Sequence, residues 1–189
     1  MVTLILPRLL VPDAVTSTPA GRLVVPGFSL PEREVTIDPD QIRTLIEEAR
    51  RAAGNAYAPF SKFHVGAAVI MASDPAQRIF TGANVENSSY GGTLCAERTA
   101  LSAAVTSRPE NEDKRLRYLA VSVRDALGDV LPNRSPCGLC RQFIRQFCDP
   151  APGQPPPLIF VDDGAPDTLG QVFDIERLLP WGFRFEPRT

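Results

Sequence analysis

Three cysteines and one glutamate constrain this chain of 189 residues more than any other feature. Cys95 and Glu97 lie in the run CAER, and Cys137 and Cys140 form a Cys-x-x-Cys pair in the run PCGLC. Zinc takes tetrahedral sulfur or nitrogen ligands, and a catalytic site offers three protein ligands with the fourth position open. The three cysteines therefore predict a catalytic zinc centre, around which the chain has to fold.

Glu97 is predicted to move protons beside the metal. Residues two apart on a helix diverge by roughly 200°, so Glu97 is better placed beside the open position than as a chelating partner of Cys95. The alternative is an acid in the first turn of a helix, stabilised by the helix dipole. Next to three cysteines, the catalytic interpretation is favoured.

The residues around the cysteines favour thiolates. Ser135 and Pro136 predict an N-cap and a first helical residue, which places the Cys-x-x-Cys pair in the first turn of a helix. Thr93 can likewise cap a helix that carries Cys95. A helix N-terminus lowers a thiol pKa. Three thiolates around Zn²⁺ leave a net negative charge, and Arg98 is the candidate cation that offsets it.

A closed four-cysteine structural site is the alternative, with Cys148 as the fourth ligand. If the helix continues beyond Cys140, Cys148 lies about 12 Å further along its axis and does not reach the metal. A disulfide framework is less favoured, because unpaired cysteines around a Cys-x-x-Cys pair suit a reducing compartment.

Four sequence blocks and a C-terminal segment carry a family resemblance. The run NAYAPFSKFHVGAA at 55–68 resembles the opening motif of the cytidine deaminases, and GANVENSSY at 82–90 resembles their ribose-binding segment. The CAER and PCGLC runs follow in the family's order, and LLPWGF at 178–183 is similar to its C-terminal segment. The resemblance extends from 41 to 183. One departure is Ala83, where relatives often have cysteine.

The resemblance implies an α/β chain with a three-layer α/β/α cytidine-deaminase-like fold and a central mixed five-stranded sheet. Zinc would be bound by Cys95, Cys137 and Cys140, while Glu97 serves as the catalytic proton carrier. The three-cysteine site belongs to the short-chain, homotetrameric branch of the family, whose active sites are shared between subunits.

The resemblance also assigns substrate-binding residues. Asn84 and Glu86 would hold the ribose hydroxyls, and Phe63 would stack near the pyrimidine. The backbone at Ala96 would contact the base, and Phe183 would approach an active site in a neighbouring subunit.

Structural roles remain open for the same residues. Asn84 and Glu86 are also typical of a polar turn, and Phe63 belongs to an alternating apolar strand pattern that predicts a core face. Phe183 suits a hydrophobic tail. His64, the only histidine, is more typical of a structural or exposed position than of a metal or base site.

The expected reaction is zinc-dependent hydrolytic deamination of free cytidine and deoxycytidine, yielding uridine or deoxyuridine and ammonia, in cytoplasmic pyrimidine salvage. A deaminase of a nucleoside antibiotic, a nucleic-acid deaminase and a zinc-stabilised binding module are the alternatives. The ribose segment argues against the antibiotic. A net charge of −2 and a pI near 5.5 argue against a nucleic-acid partner. No apolar run approaches the roughly 18 residues of a membrane span, and no signal-peptide pattern is evident.

The chain is predicted to divide into a proline-containing extension at 1–36 and a catalytic domain at 37–189. Five prolines exclude a helix from the extension, which is expected to be a semi-ordered arm. Asp38, Pro39 and Gly54 predict the ends of a first helix. Strands are expected at 63–71, 79–85, 118–124, 158–161 and 171–174, and the zinc helices at 94–105 and 136–147.

Overall fold

The computed structural model describes residues 1–131, 134–149, 153–165 and 168–183. The chain divides into two compact units, Met1–Ile37 and Asp38–Thr189. In the described residues, no helix combines the length and the apolar composition needed to cross a membrane.

The first unit is a long antiparallel β-ribbon. Three successive strand pairs build it from its open end to its turn: β1 (Val2–Leu6) with β6 (Arg33–Ile37), β2 (Leu9–Val11) with β5 (Phe28–Leu30), and β3 (Ala14–Thr18) with β4 (Gly21–Val25). The hydroxyl of Thr18 donates to the carbonyl of Gly21 across the final turn, at 2.8 Å.

The prolines of the ribbon mark its interruptions. Each lies between two strands or in the final turn: Pro7, Pro12, Pro19, Pro26 and Pro31. Proline lacks the N–H that a strand ladder requires, so each one ends a strand pair without ending the hairpin. The prolines exclude a helix, as expected. The expectation of a semi-ordered arm is corrected, because these residues form regular strand pairs.

The second unit alternates helices and strands. Its elements in chain order are α1 (Pro39–Ala53), β7 (His64–Met71), β8 (Phe80–Ala83), α2 (Ala96–Thr106), β9 (Leu116–Arg124), α3 (Gly138–Arg145), β10 (Leu158–Val161), β11 (Gln171–Phe173) and α4 (Ile175–Leu178). The five strands form one sheet in the order β11-β10-β9-β7-β8. β10 runs parallel to β9, and the other neighbours are antiparallel. The predicted mixed five-stranded sheet is confirmed.

Helix α1 begins and ends where its capping residues predict. The Asp38 side chain accepts a hydrogen bond from the N–H of Asp40 at 3.1 Å, Pro39 opens the helix, and Gly54 follows its last turn. Its buried stripe consists of Ile42, Leu45, Ile46, Ala49, Ala52 and Ala53. These positions repeat with the period of a helix, so one face of α1 packs on the sheet.

Two glycines set how closely helices approach the two faces of the sheet. A Cβ on Gly66 in β7 would lie 2.0 Å from the carbonyl oxygen of Ala49 in α1. A Cβ on Gly82 in β8 would lie 2.4 Å from the backbone nitrogen of Ala100 in α2. Gly66 alternates with Ala67, which belongs to the same core cluster as α2. Because alternate strand residues face opposite ways, α1 and α2 cover opposite faces, which gives the three layers.

The strand directions place the start of β7 beside the ends of β8 and β9, at one end of the sheet. β7 is antiparallel to both β8 and β9, so its first residues lie beside the last residues of these two neighbours. On the α2 face, the apolar alternation of β7 continues from Ala67, Val69 and Met71 in the core to Val65 and Phe63 at this end. The helices that follow β8 and β9 are α2 and α3.

Candidate active site

Two helix N-termini meet at the cysteines. Cys95 is the N-cap of α2, Cys137 is the N-cap of α3, and Cys140 lies in the first turn of α3. Their three sulfur atoms lie within 4.8 Å of one another. The positive ends of two helix dipoles therefore point to the cluster, which favours thiolates over thiols.

The predicted caps of these helices are wrong by two residues. Ser135 and Thr93 do not cap α3 and α2, because Cys137 and Cys95 themselves have extended backbone conformations and occupy the cap positions. The Ser135 hydroxyl instead accepts a hydrogen bond from Nη2 of Arg141 at 2.8 Å. The cysteine side chains thus leave the chain just before each helix begins.

The spacing of the sulfurs fits zinc. Tetrahedral coordination with Zn–S bonds of about 2.3 Å places ligand sulfurs about 3.8 Å apart. The sulfurs of Cys95 and Cys137 are 4.0 Å apart. Cys148 lies in the hydrophobic core and not in the cluster, as expected. The expected reason differs from the observed one, because α3 ends at Arg145 and does not carry Cys148. A set of three thiol donors with an open fourth position is the arrangement of a catalytic zinc site.

Hydrogen bonds within the cluster shift the pKa values of Cys95 and Cys140 in opposite directions. A hydrogen bond from Cys140, assisted by Arg98 and Cys137, lowers the pKa of Cys95 to about 5. The same hydrogen bond, together with burial, raises the pKa of Cys140. Nη2 of Arg98 lies 3.9 Å from the Cys95 sulfur and 2.7 Å from the carbonyl oxygen of Thr93. Arg98 is therefore close enough to offset the negative charge of the thiolates.

Glu97 is a buried carboxyl beside the cluster. It is the second residue of α2, only 4% exposed, and lines the same cavity as Cys95 and Cys137. Burial raises the pKa of Glu97 to about 7. A carboxyl whose pKa is near neutrality can both accept and return a proton at physiological pH.

The cavity beside Glu97 has a volume of about 340 Å³, within the range of small-molecule sites. Thirteen residues line it: Ser61, Phe63, Val65, Asn84, Glu86, Thr93, Cys95, Glu97, Val121, Val123, Arg134, Ser135 and Cys137. Four of these residues are apolar, namely Phe63, Val65, Val121 and Val123, and the others carry polar, charged or thiol groups that can orient a ligand.

Asn84 follows β8 and bridges two backbone groups at the start of β7. Its Oδ1 accepts a hydrogen bond from the N–H of Val65 at 2.7 Å, and its Nδ2 donates to the carbonyl of Phe63 at 2.9 Å. A side-chain amide has two donor hydrogens and two acceptor lone pairs. Asn84 therefore performs a structural role that uses one of its two donor hydrogens and one of its two acceptor lone pairs, and the residue also lines the cavity.

Glu86 is held by the loop before β7. It accepts hydrogen bonds from the N–H groups of Phe60, at 2.8 Å, and Ser61, at 3.2 Å, and from the hydroxyl of Ser61. The hydrogen bond from the Ser61 hydroxyl is the main cause that holds the pKa of Glu86 below its usual value. A carboxylate offers about four acceptor positions, so one remains for a ligand.

The other three predicted contact residues differ in position. Phe63 lines the cavity and packs against Val121 and Val123. Ala96 is fully buried at the start of α2 and Phe183 is 62% exposed. Neither Ala96 nor Phe183 lines the cavity formed by the described residues of this chain. His64 lies on β7 and lines a different surface depression.

Among the cavity residues that the sequence analysis did not assign to the site, Ser61 and Arg134 contact residues that it did assign, Glu86 and Phe63. Ser61 belongs to the NAYAPFSKFHVGAA run, but no local pattern shows that its hydroxyl reaches a carboxylate 25 residues away in sequence. Arg134 immediately precedes the Ser-Pro-Cys run, and it lines the cavity with its guanidinium over the ring of Phe63. For Arg134, its proximity to Cys137 was the only signal in the sequence.

The part of the chain that contains the cysteines and Glu97 is similar to known proteins. The family model for the cytidine and deoxycytidylate deaminase zinc-binding region matches residues 39–151. A cytidine deaminase from Sporosarcina psychrophila is 45% identical over 108 residues, which are 57% of this chain and 71% of that protein. A cytidine deaminase from Mycoplasma genitalium is 34% identical over 140 residues, or 74% of this chain and 93% of that protein.

Solved structures show the same fold. The crystal structure of cytidine deaminase from Burkholderia pseudomallei matches with a TM-score of 0.59 and 35% identity, over 75% of this chain and 98% of that one. Cytidine deaminase from Mycobacterium tuberculosis matches with a TM-score of 0.53 and 34% identity, over 76% of this chain and 97% of that one.

Three thiols that could hold a metal ion lie beside a buried carboxyl, and together with the family match they identify the class as zinc-dependent hydrolytic deaminases. The chain belongs to the cytidine and deoxycytidylate deaminase family, since the family model matches more than half of it. The predicted family resemblance, fold, enzyme class and zinc cofactor are thereby confirmed.

Proposed function

We propose that this protein hydrolytically deaminates free cytidine and deoxycytidine to uridine and deoxyuridine, releasing ammonia, in pyrimidine salvage. The observation that carries the proposal is the convergence of Cys95, Cys137 and Glu97 with Asn84 and Glu86 in one cavity. The first three residues supply the chemistry of deamination, and the last two suit a sugar hydroxyl. Relatives named as cytidine deaminases support the same substrate class.

The three cysteines would hold the zinc. A bound zinc ion supplies the Lewis acidity that makes a water nucleophilic near neutral pH. Cys95, Cys137 and Cys140 would supply three of the four ligands, and two of them, Cys95 and Cys137, line the same cavity as Glu97. Arg98 moderates the negative charge of the thiolates, so that they do not cancel this acidity.

Glu97 would carry the protons. It takes a proton from the attacking water and gives it to N3 of the cytosine. It then takes the proton of the new C4 hydroxyl and delivers it to the amino group, which leaves as ammonia while C4 becomes a carbonyl. A pKa of about 7 suits these transfers, because neither the acid nor the carboxylate form is rare at neutral pH. Its burial keeps bulk water from exchanging these protons.

Asn84 and Glu86 would bind the ribose hydroxyls with their remaining hydrogen-bonding positions. Phe63 would stack near the pyrimidine, and the backbone at Ala96 would contact the base. Phe183 would complete the active site of a neighbouring subunit in a homotetramer. Its exposure, and its position outside this chain's own cavity, support that assignment.

The remaining assignments concern the whole chain. Residues 37–189 are proposed as the catalytic domain and 1–36 as an extension. The protein is proposed to act in the cytoplasm, where the four free cysteines stay reduced. A nucleoside antibiotic or a nucleic acid is the alternative cytosine-containing substrate.

The test follows the ultraviolet spectra of cytidine and deoxycytidine with the zinc-loaded protein. Glu97→Gln is compared with Glu110→Gln, which changes an exposed glutamate in the same way. We expect conversion to the uridine spectra by the wild type and by Glu110→Gln, and a loss of at least about 100-fold in kcat for Glu97→Gln. Failure of the wild type to convert either nucleoside, despite one zinc per chain, would overturn the proposal.

A further inference from the structure

Arg134 is a cavity residue with an unusual partner. The Cζ atom of its guanidinium lies 5.4 Å from the centroid of the Phe63 ring, within the range of a cation–π contact. Both side chains line the cavity that contains Glu97 and Cys137. Among the described residues that line this cavity, Arg134 is the only basic one.

The Phe63 ring is the contact that orients this guanidinium. Within the part of the chain that the structure describes, no hydrogen bond or ion pair accompanies the contact. A planar guanidinium stacks on an aromatic face better than an ammonium group does. The two side chains therefore restrain each other, rather than being held separately.

The backbone that carries Arg134 is anchored close to the cavity. Arg141 in α3 donates from Nε to the carbonyl of Pro136 at 2.7 Å and from Nη2 to the hydroxyl of Ser135 at 2.8 Å. Its Nη1 donates to the carbonyl of Leu178 at 2.9 Å. Arg141 thus anchors Ser135 and Pro136, the two residues that follow Arg134.

The backbone of Phe63 is fixed in the same way, but its ring is only partly held. Its N–H donates to the Ser61 hydroxyl at 3.0 Å, and its carbonyl accepts from Asn84 Nδ2 at 2.9 Å. The ring packs against the cluster that contains Val121 and Val123. Residues of β9 therefore support part of the ring, and Arg134 supplies a second restraint.

We infer that Arg134 is a positioning residue for nucleoside binding, which holds the Phe63 ring as one wall of the base slot. The inference rests on the proposed function, because Phe63 contacts the base only there. A preordered ring lowers the ordering cost that binding would otherwise incur. The contact between Arg134 and Phe63 involves no reacting atom and is the same in the ground and transition states, so Arg134 affects KM and leaves kcat nearly unchanged.

The test is a double-mutant cycle on the zinc-loaded enzyme with cytidine. We expect Arg134→Ala to raise KM about three- to tenfold with kcat within about twofold, and Arg134→Lys to recover part of the loss. In a Phe63→Leu background, Arg134→Ala should add less than about twofold, because it acts through the ring. Phe63→Met provides the cycle if Phe63→Leu does not fold.

A matched control uses a second cation–π pair. Arg117 lies over Tyr118 at 5.0 Å and does not line the cavity, so Arg117→Ala should leave both KM and kcat within about twofold. The inference would be overturned if Arg134→Ala left KM unchanged, or if Arg134→Ala raised KM equally in the wild-type and Phe63→Leu backgrounds. In either case, turnover by the wild type would leave the proposed function standing. Absence of wild-type turnover would instead overturn both.

Discussion

Arg50 and Asp162 lie 112 residues apart in sequence and form a two-pronged ion pair. Nε and Nη2 of Arg50 donate to the two carboxylate oxygens of Asp162 at 2.7 and 2.6 Å. The hydroxyl of Ser122 in β9 donates to Oδ2 of Asp162 at 2.7 Å. This network joins α1 to β9 and to the end of β10, and so fixes the helix on its face of the sheet.

The network makes the stability of the fold depend on pH. Burial alone would raise the pKa of Asp162, but the hydrogen bonds from Arg50, Ser122 and the N–H of Gly164 outweigh it and lower the pKa below 3.8. A carboxyl whose pKa is lowered by folding stabilises the folded state above its unfolded-state pKa. That stabilisation is lost as the pH falls through the folded-state pKa.

Asp162→Asn should reduce the free energy of unfolding by about 2 kcal/mol at pH 7, because it leaves Arg50 without its anionic partner. The difference between wild type and variant should shrink as the pH falls below about 4. Urea unfolding at several pH values measures this difference in the free energy of unfolding. Both proteins lose zinc in acid, so the effect of zinc loss cancels in the comparison. A difference that stays constant down to pH 3 would contradict this prediction.

Substitution of Cys137 should reduce zinc binding, and substitution of Cys148 should not. Cys137→Ser should weaken zinc binding at least about tenfold, because the ion loses one of three thiolates. Cys148→Ala should keep one zinc per chain, since Cys148 belongs to the hydrophobic core. Zinc content after dialysis against a weak chelator distinguishes the two variants, and loss of zinc in both would contradict the three-cysteine assignment.

Loss of the Ser61 hydroxyl should loosen Glu86. Ser61→Ala removes the strongest of the hydrogen bonds that lower the pKa of Glu86, so the carboxylate is oriented less well for a ribose hydroxyl. We expect KM for cytidine to rise about three- to tenfold with little change in kcat. Ser102→Ala, on the exposed side of α2, is the control. Equal kinetics in both variants would show that Ser61 does not position Glu86.

An added methyl group on β7 should displace α1. Gly66→Ala places a Cβ 2.0 Å from the carbonyl oxygen of Ala49, which is backbone and cannot rotate away. We expect the free energy of unfolding to fall by about 2 to 3 kcal/mol. Gly91→Ala, whose Cβ would meet nothing within 4 Å, should change it by less than about 1 kcal/mol. Thermal and urea unfolding measure both variants.

Local rules predicted most of the elements. The alternation of Val65, Ala67 and Val69 identified β7, and the capping residues Asp38 and Gly54 identified the ends of α1. The predicted starts of the two helices that carry the zinc motif were two residues too close to the N-terminus. Thr93 and Ser135 were assigned as N-caps, whereas Cys95 and Cys137 occupy those positions. In the ribbon, the prolines excluded a helix. They did not reveal that the strands on either side pair with one another.

The sequence by itself determined the chemistry of this protein, because three cysteines and one glutamate at these spacings suit few other purposes. Only the tertiary structure decided which distant groups meet, both in the site and between α1 and the sheet. Ser61 meets Glu86, Arg134 meets Phe63, and Arg50 meets Asp162 across 25 to 112 residues of sequence. Helix capping and strand alternation depend on neighbours a few residues away and can be inferred locally. Contacts between distant segments depend on how helices and strands pack, which no local pattern encodes.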